Sequence, residues 1–171
     1  MTEAESFILK NLDEMKIEYE VIRHTQRNTI EEKEALDREF GINAKHCKNI
    51  FLTDRKKTHF YLLVMPFEKT FRTAEVSKEL GSSRLSFAPE DLLLEILNCH
   101  SGSLSTLSLL YDRDFEVNLA VDSDLLLEDA LCMHPNVDTT TVIMKKDEYL
   151  GKFLPKIKHR PTFVTVTVPK E

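Results

Sequence analysis

Two apolar runs around one charged turn constrain this chain more than any other feature. Asn49–Thr53 (NIFLT) and Phe60–Met65 (FYLLVM) flank Asp54-Arg55-Lys56-Lys57. Each run is shorter than the roughly 10 residues of an ordinary helix, so both read as strands joined in a hairpin. A sheet is therefore the framework, and the rest of the chain must supply what covers it.

Ala4, Phe7, Ile8, Leu12 and Met15 recur at helical spacing and predict an amphipathic first helix. Ile17, Tyr19 and Val21 then alternate with Glu18 and Glu20, as in a strand. Thr29 ahead of Glu31 and Glu32 marks a helix start, expected to run to Phe40 and stop at Gly41. Thr73–Leu80 reads as a helix closed by Gly81. Another begins at Ser86 or Ala88, with Pro89 in its first turn. Beyond the loop Cys99–Ser105, strands are expected at Thr106–Tyr111 and Phe115–Val121, joined by Asp112-Arg113-Asp114. Two more, Leu131–Met133 and Thr139–Met144, flank the turn His134-Pro135-Asn136. A helix near Lys146–Leu154 and a strand Thr162–Val168 complete the pattern. The prediction is an α+β fold in one domain over residues 1–171. Its sheet is mixed and mostly antiparallel, or a partly closed barrel, covered by helices.

Composition narrows the function. No apolar stretch approaches the ~20 residues that cross a bilayer. Met1–Ser6 carries two glutamates where an export signal has a basic start, so a cytoplasmic protein without membrane contact is expected. Cys47, Cys99 and Cys132 form no CxxC and read as buried thiols. Cys47, beside a lysine, is the one weighed as a nucleophile of lowered pKa. A net charge of −6 argues against a protein that coats a nucleic-acid duplex, so any polyanion must be met locally. The local candidates are Lys45–Lys48 with Arg55–Lys57, and the stretch Lys145–Arg160; both also fit solvated faces.

No phosphate-cradling GxxxxGK[ST] or GxGxxG occurs, no HExxH or paired Cys/His spacing, and no GxSxG elbow. Neither a metal nor an organic cofactor is expected, and a hydrolase would rely on backbone donors and a positioned lysine. Three segments offer these. Lys48-Asn49-Ile50-Phe51-Leu52-Thr53-Asp54 brings a lysine into an apolar strand. Gly102-Ser103-Leu104-Ser105 is a small-residue loop able to aim several N–H groups at one point. His134-Pro135-Asn136-Val137-Asp138-Thr139-Thr140-Thr141 sets a histidine at a turn before a threonine-rich strand. By themselves they fit equally a strand-end lysine, an ordinary loop and a plain turn histidine.

In order and spacing these segments, with Leu80–Ala88 (LGSSRLSFA), resemble the YbaK/prolyl-tRNA synthetase-associated editing domain, and within it the alanyl-tRNA(Pro) deacylases. The matching family patterns read KNLFLxD, LGxxRLSFA, GSxSPF and HPxxNTxT, and the similarity runs from about His24 to Tyr149. The resemblance implies hydrolysis of the ester on a mischarged tRNA, most directly Ala-tRNA(Pro). Lys48, Gly102, Ser103 and His134 would be catalytic, while His24, Thr29, Asn49, Ser105, Asp138 and Thr139 would contact substrate. The implied partner is the 3′ acceptor end of the tRNA, with prolyl-tRNA synthetase or an elongation factor as possible helpers. Thr106-Leu107 stand where the family has Pro-Phe, and Asp138 where it has Asn. These departures keep open a non-catalytic member that binds charged tRNA or an amino acid, and a Cys-tRNA(Pro) deacylase.

Overall fold

Thr2 caps the first helix, α1 (Glu3–Glu14), accepting from the Glu5 amide at 3.0 Å in a computed structural model that describes residues 1–167. The helix ends with Lys16 at φ 59° and the Ile17 amide bonded back to Leu12 O. That reversal delays the first strand, and β1 covers Glu20–Arg23 rather than starting at Ile17. Helix α2 (Ile30–Phe40) follows the expected punctuation, with Thr29 as N-cap and Gly41 at φ 66°.

The hairpin is β2 (Lys45–Thr53) and β3 (Phe60–Pro66), antiparallel with Asn49 opposite Val64. Asp54 holds its turn by accepting from the Thr58 and His59 amides. After α3 (Thr73–Glu79), Ser86–Phe87 forms a two-residue strand, β4, beside Leu52–Thr53. That pairing corrects the helix start expected at Ser86 or Ala88: α4 spans Glu90–Leu97, with Pro89 as its N-cap.

Thr106–Tyr111 is a 3₁₀ helix, not the expected strand. Ser105 and Ser108 cause this, because the Ser105 hydroxyl accepts from the Leu107 amide while the Ser108 hydroxyl accepts from the Ser105 amide. Local side-chain bonds of this kind compete with a strand ladder. Strand β5 is Val117–Asp122, begun after Phe115 turns at φ 55°. Then come β6 (Ala130–Met133), β7 (Thr140–Lys145) and a helical stretch made of α5 (Lys146–Glu148), a π turn (Tyr149–Phe153) and α6 (Leu154–Lys156). Strand β8 covers Thr162–Val164; the remainder of the expected strand is irregular to Thr167, and Val168 lies outside the described residues.

One eight-stranded sheet results, in the order β1-β7-β6-β2-β3-β5-β8 with β4 also on β2. Four of its pairings are antiparallel and three, β2 with β6, β3 with β5 and β5 with β8, are parallel. The sheet stays open, so the mixed-sheet form of the expected fold is the one adopted. Ile8, Leu12, Phe51, Leu62, Leu97, Leu107 and Phe153 fill the main core on one face. A smaller cluster around Leu52, Leu63, Met65 and Val76 lies on the other.

Candidate functional site

The sheet parts along one edge of β2. That edge pairs with β6 at Lys45 and His46 and with β4 at Leu52 and Thr53, and no strand joins it between, among the described residues. Its other edge is covered by β3 from Cys47 to Thr53. The gap is closed by the Ser101–Ser103 turn, which packs against β2.

Alternation of side chains decides what faces this gap. Leu131, Met133, Val142 and Met144 enter the main core, so Cys132, His134, Thr141 and Ile143 occupy the opposite face. The parallel register stops at Lys45↔Leu131 and His46↔Cys132; beyond it Lys48, two residues on from His46, keeps to that same face of β2 while the chain after Cys132 turns at His134. Helix α2 lies over it: Asp37 Oδ1 meets His46 Nε2 at 2.6 Å, and Lys33 Nζ sits 4.6 Å from the Phe67 ring centroid. A crevice of about 270 Å³ between helix and strand is lined by Lys33, Asp37, His46 and Phe67.

Lys48 also approaches that ring, with Nζ 5.7 Å from the Phe67 centroid, and donates to Lys69 O. Burial lowers the pKa of both Lys33 and Lys48 from the ordinary lysine value. Lys69 is itself fixed, bonded through Nζ to Asp122 and Val166 O at 2.8 Å each.

His134 Nδ1 lies 2.8 Å from Thr140 O. A carbonyl only accepts, so Nδ1 carries the proton and Nε2 is left as an acceptor. Burial pushes this imidazole down to about 4, and it is neutral at pH 7. His24, its ring centroid 6.3 Å away, accepts from the Thr141 hydroxyl at 2.7 Å. Asp138 accepts from Gln26 Nε2 at 2.7 Å, and Thr139 is exposed, its carbonyl taking the His24 amide.

The loop is fastened to this turn by Ser105, which is fully buried and donates to His134 O at 2.6 Å. Asn136, at φ 57°, accepts from the Ser108 hydroxyl and donates to Leu97 O and Asn98 O. Ser103 bonds the His100 amide and carbonyl through its hydroxyl, which stiffens the turn. The Gly102 and Leu104 amides have no acceptor among the described residues. A Cβ built on Gly102 meets nothing within 4 Å, so the turn is open on that side. Rigid, unspent amides beside a cleft are what an oxyanion needs.

The sequence model of the aminoacyl-tRNA editing domain family matches residues 27–151, the stretch that carries this loop, turn and strand. The chain belongs to that family. As an editing domain it is 33% identical over 147 residues to the prolyl-tRNA editing protein ProX of Acetoanaerobium sticklandii, covering 85% of this chain and 88% of that one. It is 29% identical over 153 residues to the prolyl-tRNA synthetase associated domain-containing protein 1 of Mus musculus, covering 87% and 89%. In fold it superposes with a TM-score of 0.73, at 12% identity and over 98% and 99% of the chains, on the crystal structure of a candidate trans-editing enzyme for prolyl tRNA synthetase.

The editing domain thus gathers Lys48, His134, His24, Asp138 and the Gly102–Ser105 loop around the β2 gap. Thr29 stands apart in role, its hydroxyl engaged by the Glu32 amide at 3.1 Å. Asn49 alternates with Lys48 onto the core face, and its Oδ1 is buried without a hydrogen-bond partner among the described residues. Cys47 follows the unreactive-thiol reading and not the nucleophile weighed beside it: burial pushes its thiol up to about 12, the opposite of an activated nucleophile. Lys33, His46 and Phe67 were missed, since only the packing of α2 on β2 brings them to the site. Among the described residues no cluster of His, Cys, Asp or Glu could hold a metal ion, and no helix is long and apolar enough to cross a membrane.

Proposed function

We propose that this chain is a trans-editing hydrolase that deacylates mischarged aminoacyl-tRNA, with Ala-tRNA(Pro) as its substrate. The observation that carries the reading is the set of groups meeting at the β2 gap. Two amides without acceptors, at Gly102 and Leu104, share it with a partly desolvated lysine and a neutral histidine.

An aminoacyl ester is already activated, so the site has to place water and stabilise charge rather than supply a nucleophile. Water attacks the ester carbonyl, and the resulting oxyanion is received by the loop amides. Collapse expels the ribose oxygen, which takes a proton, leaving free amino acid and deacylated tRNA. Neutral His134 orients the water through the Nε2 lone pair. Lys48 holds the 3′ end as a point charge, and the Asp138 carboxylate faces the substrate's α-ammonium. His24 and Thr139 border the amino-acid side of the cleft. ProX of A. sticklandii, a prolyl-tRNA editing protein by name, supports tRNA(Pro) as the carrier. Prolyl-tRNA synthetase is the partner suggested by the names of the mouse relative and the structural neighbour.

The test is the hydrolysis rate of Ala-, Cys-, Ser- and Pro-tRNA(Pro) by the purified protein and by Lys48→Ala. Ala-tRNA(Pro) should be lost fastest, Pro-tRNA(Pro) spared, and the variant should fall by about 10² while its melting temperature holds. Equal rates for wild type and Lys48→Ala would remove Lys48 from the mechanism. Rates equal to the uncatalysed ones throughout would leave a binding protein on this fold.

A further inference from the structure

The aromatic pair beside β4 takes no part in the chemistry above. Phe87 is 65% exposed and meets Phe71 edge-on, with centroids 5.8 Å apart and planes at 76°. Phe71 is rooted against the smaller core cluster, so it holds Phe87 in place from beneath. A lone exposed aromatic is unremarkable on a protein surface. This one is distinguished by what stands on either side of it.

Leu52 pairs with Phe87, and paired residues share a face, so Phe87 lies on the face of β2 that carries Lys48. The ladder ends at Ser86↔Thr53, and the two segments leave it as Arg84 on one side and the hairpin tip on the other. Arg84, Arg55, Lys56 and Lys57 are exposed there, and none of them makes an ion pair among the described residues. Two of the acids close in sequence to this surface are already engaged. Asp54 is held by Thr58 and His59, and Glu90 is directed at His100 and the Ser101 amide. Basic tip and aromatic pair thus stand at one end of β2 and Lys48 farther along it, with Ile50 and Leu52 between them buried in the smaller core cluster. From Thr53 to Lys48 the distance is about 17 Å at roughly 3.3 Å per residue. That is the reach of a few unpaired nucleotides.

We infer that Phe87, backed by Phe71, is a stacking platform for the unpaired nucleotides next to the aminoacylated 3′ end, while Arg84 and the Arg55–Lys57 tip hold phosphates farther from the ester. Bases stack on aromatic rings irrespective of sequence, and a cationic track supplies the remaining attraction. It also accounts for how an acidic protein grips tRNA, with its cations gathered where the strand must run. The inference rests on the tRNA substrate proposed above.

The chain contains no tryptophan, so Phe87→Trp supplies a single tryptophan at the platform, excited selectively over the four tyrosines. Its emission should be quenched saturably by deacylated tRNA(Pro) and by a short single-stranded RNA ending in CCA. In parallel, Phe87→Ala should raise KM for mischarged tRNA by roughly 5- to 150-fold with kcat unchanged, and Phe87→Trp should restore it. Constant emission at RNA concentrations that saturate hydrolysis would overturn the inference, as would an unchanged KM in Phe87→Ala. So would quenching by prolyl-tRNA synthetase without RNA, which would make the pair a protein interface. Quenching by RNA with no hydrolysis by the wild-type protein would uphold the platform and defeat the hydrolytic reading instead.

Discussion

His134 and Gly102 show how differently two site residues are fixed. His134 is neutral because burial disfavours its charged form, lowering its pKa from 6.5 to about 4. In the unfolded chain the ring binds a proton below about 6.5, and in the folded chain only below about 4. Between those values the unfolded state holds more protons, so this residue's contribution to stability is full above the range and lost as pH falls through it. Urea denaturation at a series of pH values should record that slope, and His134→Asn should flatten it. An unchanged slope would assign the acid sensitivity to other groups. Gly102 has no steric or conformational requirement of its own, since a Cβ there meets nothing and its φ is not positive. Gly102→Val keeps the amide but fills the open side of the turn where the ester must approach, so it should leave the melting temperature alone while cutting kcat by about 10²–10³, as much as losing access to an oxyanion donor costs. Normal turnover in that variant would refute the loop's role.

Helix α2 is the element on which the cleft depends. It carries Lys33 over Phe67 and pairs Asp37 with His46, and it is held at its start by one hydroxyl, that of Thr29. Removing a side-chain cap costs about 1 kcal/mol. Thr29→Ala should therefore lower the melting temperature by roughly 2–4 °C, and Thr29→Ser should restore it. If Thr29 also touches substrate, kcat/KM of the serine variant will stay low after stability has recovered; a cap alone predicts full recovery of both. At this scale the sequence was clearest where punctuation is local. Thr29, Gly41 and the 54–57 turn mark their elements without outside help. It was least clear over Thr106–Tyr111, whose apolar residues satisfy either a strand or a 3₁₀ helix until the Ser105–Ser108 bonds choose.

For the whole molecule, a net charge of −6 requires that tRNA be bound by a few local contacts. A plot of log affinity against log salt should then have a slope of about −2 to −3, the release of counterions from three or four phosphates of a single strand. A slope near −10 would mean that much more of the surface is engaged. The family was readable because its four motifs are short, ordered along the chain and each locally constrained. Lys48 at its strand, the Gly102–Ser105 loop and the His134 turn could be picked out in the sequence, and the family resemblance gave them their roles. What spacing could not supply was their meeting. The parallel pairing of Lys45–His46 with Leu131–Cys132 joins distant segments, and it brings the strand of Lys48 beside the one that leads into the His134 turn. Lys33 and Phe67 join the site only through the packing of α2 on that strand, and the pKa values follow from burial. Local order is encoded by caps, turns and periodicity acting over a few residues. The site's geometry and its protonation state depend on which apolar faces are buried together, and that is decided by the sheet as a whole.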